Sequence, residues 1–279
     1  MTPNPQYVIL FHHFRRLLEA LAEEGIDAAP LKGAHLLTSV YPEGEGRGTL
    51  SDVDFLVREG DWKRALGVME REGFTRREHF ANEERLNEVG FHLDVAPGRH
   101  VLFEIHRHLF SAHRITIDHD AIWARSTPSA FDGAPCRRLA AEDHFCHIAL
   151  HALIHRLDQL PRTTRDLELL LRDDPLSTDR IVHRARQWRI TRIVWRFLEL
   201  LTRTDPELCP SSAVASLAPP RIVRAAVRAL VPDGDGTRLS FLNHRVQAAL
   251  LWPVLFDSTL MTARFAANHP LVQKILGRA

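Results

Sequence analysis

The sequence predicts an α+β fold in two parts: a small mixed sheet with helices over residues 1–134, then an all-helical part over residues 135–279. Three observations predict it. Short runs of strand-like composition ("IDAAP", "DVDFLV", "FHLDV", "VLFEI") alternate with amphipathic segments in the first part only. After about residue 135 every apolar segment has helical spacing and is joined to the next by a short Pro, Asp or Gly turn. Between the two lies "TPSAFDGAPC", a turn-rich stretch that reads as the boundary.

Residues 7–24 ("YVILFHHFRRLLEALAEE") form a helix that stops before Gly25. "IDAAPLKG" is a short strand running into Gly33, and "AHLLTSVY" a helix halted by Pro42. "PEGEGRG" is a glycine-rich loop. "DVDFLV" is a strand of near-continuous apolar character beyond Asp52 and Asp54. Residues 60–72 make an amphipathic helix with Asp61 as its N-cap. "FHLDV" and "VLFEIHRHLF" form a hairpin across "APGRH". The second part reads as six helices, "LAAEDHFCHIALHALIHRLDQL", "TTRDLELLLRD", "STDRIVHRARQW", "ITRIVWRFLELLTR", "PRIVRAAVRAL" and "HRVQAALLWPVLF".

Composition excludes several classes. With 36 basic and 35 acidic residues, a net charge of +1 argues against a large nucleic-acid footprint, though not against a small nucleotide site. No apolar run reaches the ~18–20 residues of a membrane span. The N-terminus lacks the pattern of a signal peptide. Cys136, Cys146 and Cys209 are odd in number and far apart, which fits neither a disulfide framework nor a CxxC metal site, and a cytoplasmic location is expected. Only Lys32, Lys63 and Lys274 among the 36 basic residues are lysines, which singles out Lys32 beside Gly33.

Asp52 and Asp54 lie two apart on a strand, so both carboxylates face one side, ~6.5–7 Å apart. Two buried carboxylates this close repel, and each costs several kcal/mol to desolvate unless a cation compensates. Mg²⁺, or Mn²⁺ in its place, resolves both problems with oxygen ligands. A third carboxylate is expected from Glu104, whose neighbours Phe103 and Ile105 point into the core; Asp94 is the competitor but falls toward the hairpin turn. Three carboxylates on adjacent strands suit two-metal phosphoryl transfer. The alternative is a strand start, with Ser51 or Asp52 capping and Asp54 solvated.

The element order and four sequence blocks resemble the nucleotidyltransferase superfamily with the DNA-polymerase-β-like core. The likeness is strongest to a group of mostly uncharacterised bacterial nucleotidyltransferase-like proteins. The blocks are Leu31-Lys32-Gly33, Tyr41-Pro42, Arg47 with Ser51-Asp52-Val53-Asp54-Phe55-Leu56-Val57, and Glu104-Ile105-His106. The resemblance spans residues 28–110 and implies a transferase moving a nucleoside monophosphate from an NTP to an acceptor. Asp52, Asp54 and Glu104 would hold the metals. The acceptor would be a small molecule, a peptide or protein side chain, or an RNA end. The superfamily usually has Gly-Gly or Gly-Ser in its first turn, whereas here Ala34 follows Gly33. Lys32 is then expected to supply a point charge to phosphate, Gly33 to let the backbone approach, and the following helix N-terminus to favour the anion. Arg47 would clamp phosphate bidentately, and Ser51 would orient a metal-bound water or phosphate. His106, on the face of Glu104, would contact phosphate, orient Glu104 or take a proton. The missing hydroxyl leaves a catalytically silent nucleotide or partner binder as an alternative; a third, a toxin nucleotidylating tRNA ends, needs a basic acceptor surface that the net charge of +1 does not announce.

His144, His147, His151 and His155 fall on one helix face. Zinc would want an i, i+4 histidine pair and a carboxylate, and no H-E-x-x-H is present. The expectation is a polar face lining a cleft between the two parts, met by Asp166 from the next helix. The arginine-rich helices read as solvated faces, with an acidic substrate or RNA as the functional alternative.

Overall fold

The first helix, α1 (Pro5–Glu23), exists because its apolar residues recur on one stripe: Leu10, Phe14, Leu17, Leu18 and Leu21 are all buried. In this computed structural model the described residues are 5–43, 45–48, 50–77, 87–110, 115–155, 159–175, 177–233 and 254–257. The chain divides into two compact units, Met1–Ser111 with Asp118–Ala140, and Ala112–Ile117 with Ala141–Ala279.

In the first unit, β1 (Ala28–Pro30) leads into α2 (Lys32–Ser39), then β2 (Asp52–Val57) and α3 (Trp62–Arg71). β3 (Thr75–Arg76), β4 (Glu88–Ala96) and β5 (Arg99–His106) complete a five-stranded sheet of order β1-β2-β5-β4-β3. Only the central β2/β5 pair is parallel; the β1/β2, β5/β4 and β4/β3 pairs are antiparallel. The sheet is therefore small and mixed, as the sequence predicts. The alternation within its strands sorts the faces. Val53, Phe55 and Val57 share the core with Phe103, Ile105, Val89 and Phe91, and with the stripes of α1 and α3. Phe14 ties the layers, its ring 5.6 Å from Phe55, 6.2 Å from Phe103 and 4.8 Å from Phe131. The opposite face of β2 and β5 carries Asp52, Asp54, Glu104 and His106.

Two local expectations change. Asp61 stands at the N-cap position of α3 but makes no capping hydrogen bond; its carboxylate accepts from Arg64 at 2.7 Å instead. A short 3₁₀ turn, Glu59–Asp61, leads straight into the helix and leaves Asp61 in helical geometry, so its carboxylate is not aimed at the first-turn amides. "TPSAFDGAPC" is not a linker. After α4 (His119–Arg125), β6 (Thr127–Phe131) and β7 (Ala134–Arg138) form a hairpin. Its tip, Asp132 at φ 47° and Gly133 at φ 85°, has the paired positive φ angles of an Asp-Gly turn. Phe131 and Ala134 sit in the first unit's core, so a division after residue 134 falls inside this hairpin, whereas the unit runs to Ala140.

The second unit is helical: α5 (Ala141–Ile154), α6 (Leu160–Asp173), α7 (Ser177–Trp188), α8 (Thr191–Thr204), α9 (Ser211–Leu217) and α10 (Arg221–Leu230). α8 is deeply enclosed, burying Ile193 through Leu201. The helix expected in "HRVQAALLWPVLF" lies outside the described residues except for its last three positions. On α5, His144 and His147 are buried within this unit, His151 is half-buried and His155 exposed. The stripe thus runs from core to surface rather than forming one polar face. Asp166 on α6 is buried too.

Candidate functional site

The site begins with a backbone tie. The N–H of Leu31, just after β1, donates to the carbonyl of Asp54 at 2.9 Å, which brings the first residue of α2 beside β2. That residue, Lys32, adopts φ 43°, a left-handed conformation uncommon for a side chain with a Cβ. The bend carries its ammonium to 2.7 Å from Asp54 Oδ1. Both side chains are nearly enclosed, at 12% and 5% exposure.

The parallel register then sets Asp54 directly opposite Glu104, and Leu56 opposite His106. His106 Nε2 lies 3.0 Å from Asp54 Oδ1 and 4.0 Å from Glu104 Oε2. On the other side of β5, the register places Glu88 of β4 opposite His106, with Oε2 3.2 Å from Nδ1. One imidazole thus joins carboxylates from two neighbouring strands.

The electrostatics follow from burial and these pairs. Burial alone would lift the Asp54 carboxyl, but the Lys32 charge and the hydrogen bond from His106 outweigh it and hold Asp54 well below the carboxylate range. Burial would likewise lower Lys32, and Asp54 overrides it, so the ammonium stays charged. His106 resists its own burial through the hydrogen bond to Asp54 and the Glu88 carboxylate 3.2 Å from Nδ1, and is raised to about 9. The same imidazole, close to its Oε2, holds exposed Glu88 below its usual value. Glu104 goes the other way: burial and the neighbouring Asp54 charge push it up to about 7.

Among the described residues, ligand atoms of Asp54, Glu104 and His106 all lie within 4.8 Å of one another, a possible metal site. The donor set fits a hard divalent cation through its two carboxylates. His106 Nε2 is engaged with Asp54 Oδ1, so the imidazole braces that carboxylate. Asp52, expected in the set, is outside the cluster. It lies at the start of β2, half-buried and in register with Leu102, and its Oδ1 accepts from Ser51 Oγ at 2.8 Å. Asp54 differs because its register partner is Glu104 and its flank is Lys32.

The phosphate side shows a second arrangement. The first turn of α2 has no acidic residue, and Leu31 before it provides no side-chain cap. A methyl placed on Gly33 would lie 2.4 Å from Leu50 Cδ1 and 2.9 Å from Arg47 Nη1. The glycine therefore lets the Arg47 guanidinium lie against the helix start, and Gly33 and Arg47 are brought together. Ala34 is buried in the core, and Ser51 is exposed. Lys32 stands apart from the expectation of a charge offered to phosphate: in this state its ammonium is committed to Asp54.

Glu88 is the participant the sequence did not reveal. It precedes the apolar run "FHLDV", where a strand's first residue looks solvated, and only the β4/β5 register shows it opposite His106. Period-two counting back from Phe91 puts Glu88 on the polar face, but does not show which residue it faces.

The model of a protein family described as "Uncharacterised nucleotidyltransferase" matches residues 6–204. No curated protein matches the chain. Similar solved structures include the following two. One is the solution structure of the antibiotic-resistance factor ANT(2'')-Ia, 12% identical, covering 64% of this chain and 93% of that one at a TM-score of 0.42. The other is an antigenic nucleotidyltransferase-like protein from Paracoccidioides brasiliensis, 16% identical, covering 74% and 92% at a TM-score of 0.43. Among the described residues no helix is long and apolar enough to cross a membrane.

Proposed function

The chain belongs to the uncharacterised nucleotidyltransferase family, and from that premise we propose that it moves a nucleoside monophosphate from an NTP to a hydroxyl or phosphate of an acceptor, releasing pyrophosphate. The observation that carries this reading is the in-register pair Asp54 and Glu104 on the polar face of two adjacent parallel strands, next to the start of α2 where Arg47 meets Gly33.

In this reading Asp54 and Glu104, with Asp52 one alternation along β2, hold Mg²⁺ or Mn²⁺. The ion supplies charge neutralisation on the triphosphate and a lowered pKa for the attacking hydroxyl. The chain's own residues do the rest. The Arg47 guanidinium offers a two-pronged grip on phosphate, and the α2 amides add an anion-favouring field. His106 fixes the rotamer of Asp54 by donating to Oδ1 and is itself fixed by Glu88. The acceptor oxygen bonds to the α-phosphorus while the bond to pyrophosphate breaks, and Glu104 takes the hydroxyl proton. The acceptor is a small molecule, a peptide or protein side chain, or an RNA end.

A second reading, a nucleotide binder without chemistry, is favoured by one observation: Lys32 already neutralises Asp54. One experiment separates the two. The chain is incubated with each α-labelled NTP, candidate acceptors and Mg²⁺, alongside an Asp52→Asn/Asp54→Asn variant. Label transfer and pyrophosphate release that vanish in the variant support the transferase. Undiminished transfer in the variant removes it, and metal-independent binding without turnover favours the binder.

A further inference from the structure

We infer that Lys32 is a resident cation of the carboxylate site: its ammonium neutralises Asp54, so a divalent ion binds there weakly until Lys32 is drawn away, and the triphosphate is what draws it. This deepens the transferase reading and rests on it only in assuming that the ion enters these carboxylates.

Four observations converge. Lys32 Nζ and His106 Nε2 both sit on Asp54 Oδ1, at 2.7 and 3.0 Å, so the carboxylate is compensated before any ion arrives. A dication approaching it meets the Lys32 ammonium at short range, where Coulomb repulsion in a partly buried site is strong. Next, the backbone is bent for this contact. Among the described residues three non-glycine residues have positive φ: Lys32, Asp132 and Arg189. Asp132 is in the Asp-Gly hairpin tip. Arg189 closes α7, with its N–H bonding the Arg186 carbonyl and that of Ile190 bonding the Ala185 carbonyl, a helix-ending motif that calls for a left-handed residue. Lys32 opens a helix, where no such motif calls for it, and the bend's visible product is the ion pair. Third, a compact ammonium can stand in for a metal ion, which a planar guanidinium cannot. In a chain with 36 basic residues, of which three are lysines, the residue here is a lysine. Finally, Gly33 and Arg47 adjoin Lys32, so a triphosphate bound there passes within reach of the ammonium. The exchange is balanced: Lys32 moves from carboxylate to phosphate as the ion moves onto the carboxylate. It reconciles the ion pair with a phosphate-binding lysine, and it keeps the site from loading metal without substrate.

The test is Mn²⁺ binding to the whole chain without nucleotide, followed by the loss of the free-ion electron paramagnetic resonance signal. The wild type is compared with Lys32→Met, which removes the charge, and Lys32→Gly, which also suits the left-handed backbone; melting curves check folding. Removing one like charge at this range should tighten Mn²⁺ by about 10-fold or more in either folded variant. Adding Asp54→Asn should abolish the gain. A non-hydrolysable NTP should tighten Mn²⁺ in the wild type and add little in the variants. Unchanged or weaker Mn²⁺ binding in the folded variants overturns the inference, as does tight nucleotide-free binding by the wild type or failure of both variants to fold. Because the readout needs no turnover, a gain in Mn²⁺ affinity without any nucleotidyl transfer would sink the transferase reading and leave the role of Lys32 standing. Transfer that needs Asp54, with Mn²⁺ affinity indifferent to Lys32, would do the reverse.

Discussion

Arg196 in α8 and Asp54 in β2 are both buried charges, and each is the hub of an ion cluster, one in the helical unit and one in the sheet unit. Around Arg196 the cluster is closed. Its guanidinium donates to Glu199 Oε2 at 2.7 Å, to Asp233 Oδ1 at 2.6 Å, and twice to the Val231 carbonyl. Arg228 covers Glu199 Oε1, and Arg203 covers Asp233 Oδ2 at 2.6 Å. Every carboxylate oxygen has a donor, as a buried charge needs if it is to be structural. Among the described residues, both donors to Asp54 use Oδ1 and neither uses Oδ2, while Glu104 has only the distant His106 Nε2 at 4.0 Å. Guanidinium forks lock the first cluster; the second is held by an ammonium and an imidazolium, groups that can move or give up a proton. An ion network that leaves carboxylate faces open is a place for a ligand; one that satisfies them all is part of the frame.

The sharpest way to break this contrast is to remove each hub. Asp54→Asn should lower nucleotidyl transfer by at least about 10³-fold, read as kcat/KM in a pyrophosphate-release assay. Arg196→Leu should cost about 2–4 kcal/mol in urea unfolding, because it takes the guanidinium from the Val231 carbonyl and Glu199 Oε2 and leaves Glu199 and Asp233 with one arginine each. It should leave metal-dependent nucleotide affinity unchanged in the folded fraction. Transfer lost only through unfolding in both variants would erase the distinction.

The clusters should also answer pH in opposite senses. Glu199, despite its burial, is held low by Arg228 and Arg196. The stability it contributes is present above its unfolded value near 4.5 and is lost as pH falls through its lower folded value. Glu104 is raised from 4.5 to about 7, so the folded chain binds the extra proton and stability falls as pH rises across that window. The difference in melting between wild type and Glu104→Gln should grow from pH 4.5 to 7, reaching about 1–3 kcal/mol after discounting for solvent. A difference flat in pH would contradict this placement of Glu104.

Smaller effects refine the picture. His106→Asn, which keeps a donor but shortens the reach to Asp54, should reduce transfer about 10–100-fold. Arg203→Ala, at the solvent edge of the closed cluster with 48% exposure, should change stability by less than about 1 kcal/mol and transfer not at all.

How much of this was readable beforehand differs between the same regions. Period-two alternation put Asp52, Asp54, Glu104 and His106 on one face without any structure, because strand geometry leaves no other choice. Alternation cannot rank Asp52 against Asp54, since that difference lies in the register with Leu102 and Glu104, a non-local pairing. Nor does it reveal Lys32 on Asp54, which depends on a left-handed φ that lysine rarely adopts. Glu88 was hidden for the same reason as the register. The hairpin at Asp132-Gly133 was legible in principle from its Asp-Gly pair, but the surrounding Thr, Pro and Ser made it resemble a linker. In the helical unit, spacing found the helices but not which polar residues they bury: His144 and His147 share a face by count, and only tertiary packing encloses them.

The central claim is that the open carboxylate face of β2 and β5 takes a nucleotide together with a divalent ion. Calorimetry tests it directly, titrating α,β-methylene analogues of the four NTPs into the chain with Mg²⁺ and then with EDTA, for the wild type and for Asp54→Asn/Glu104→Gln. At least one analogue should bind the wild type with Mg²⁺, and that binding should disappear with EDTA and in the double variant. Binding that is equally tight without metal and in the double variant would contradict it.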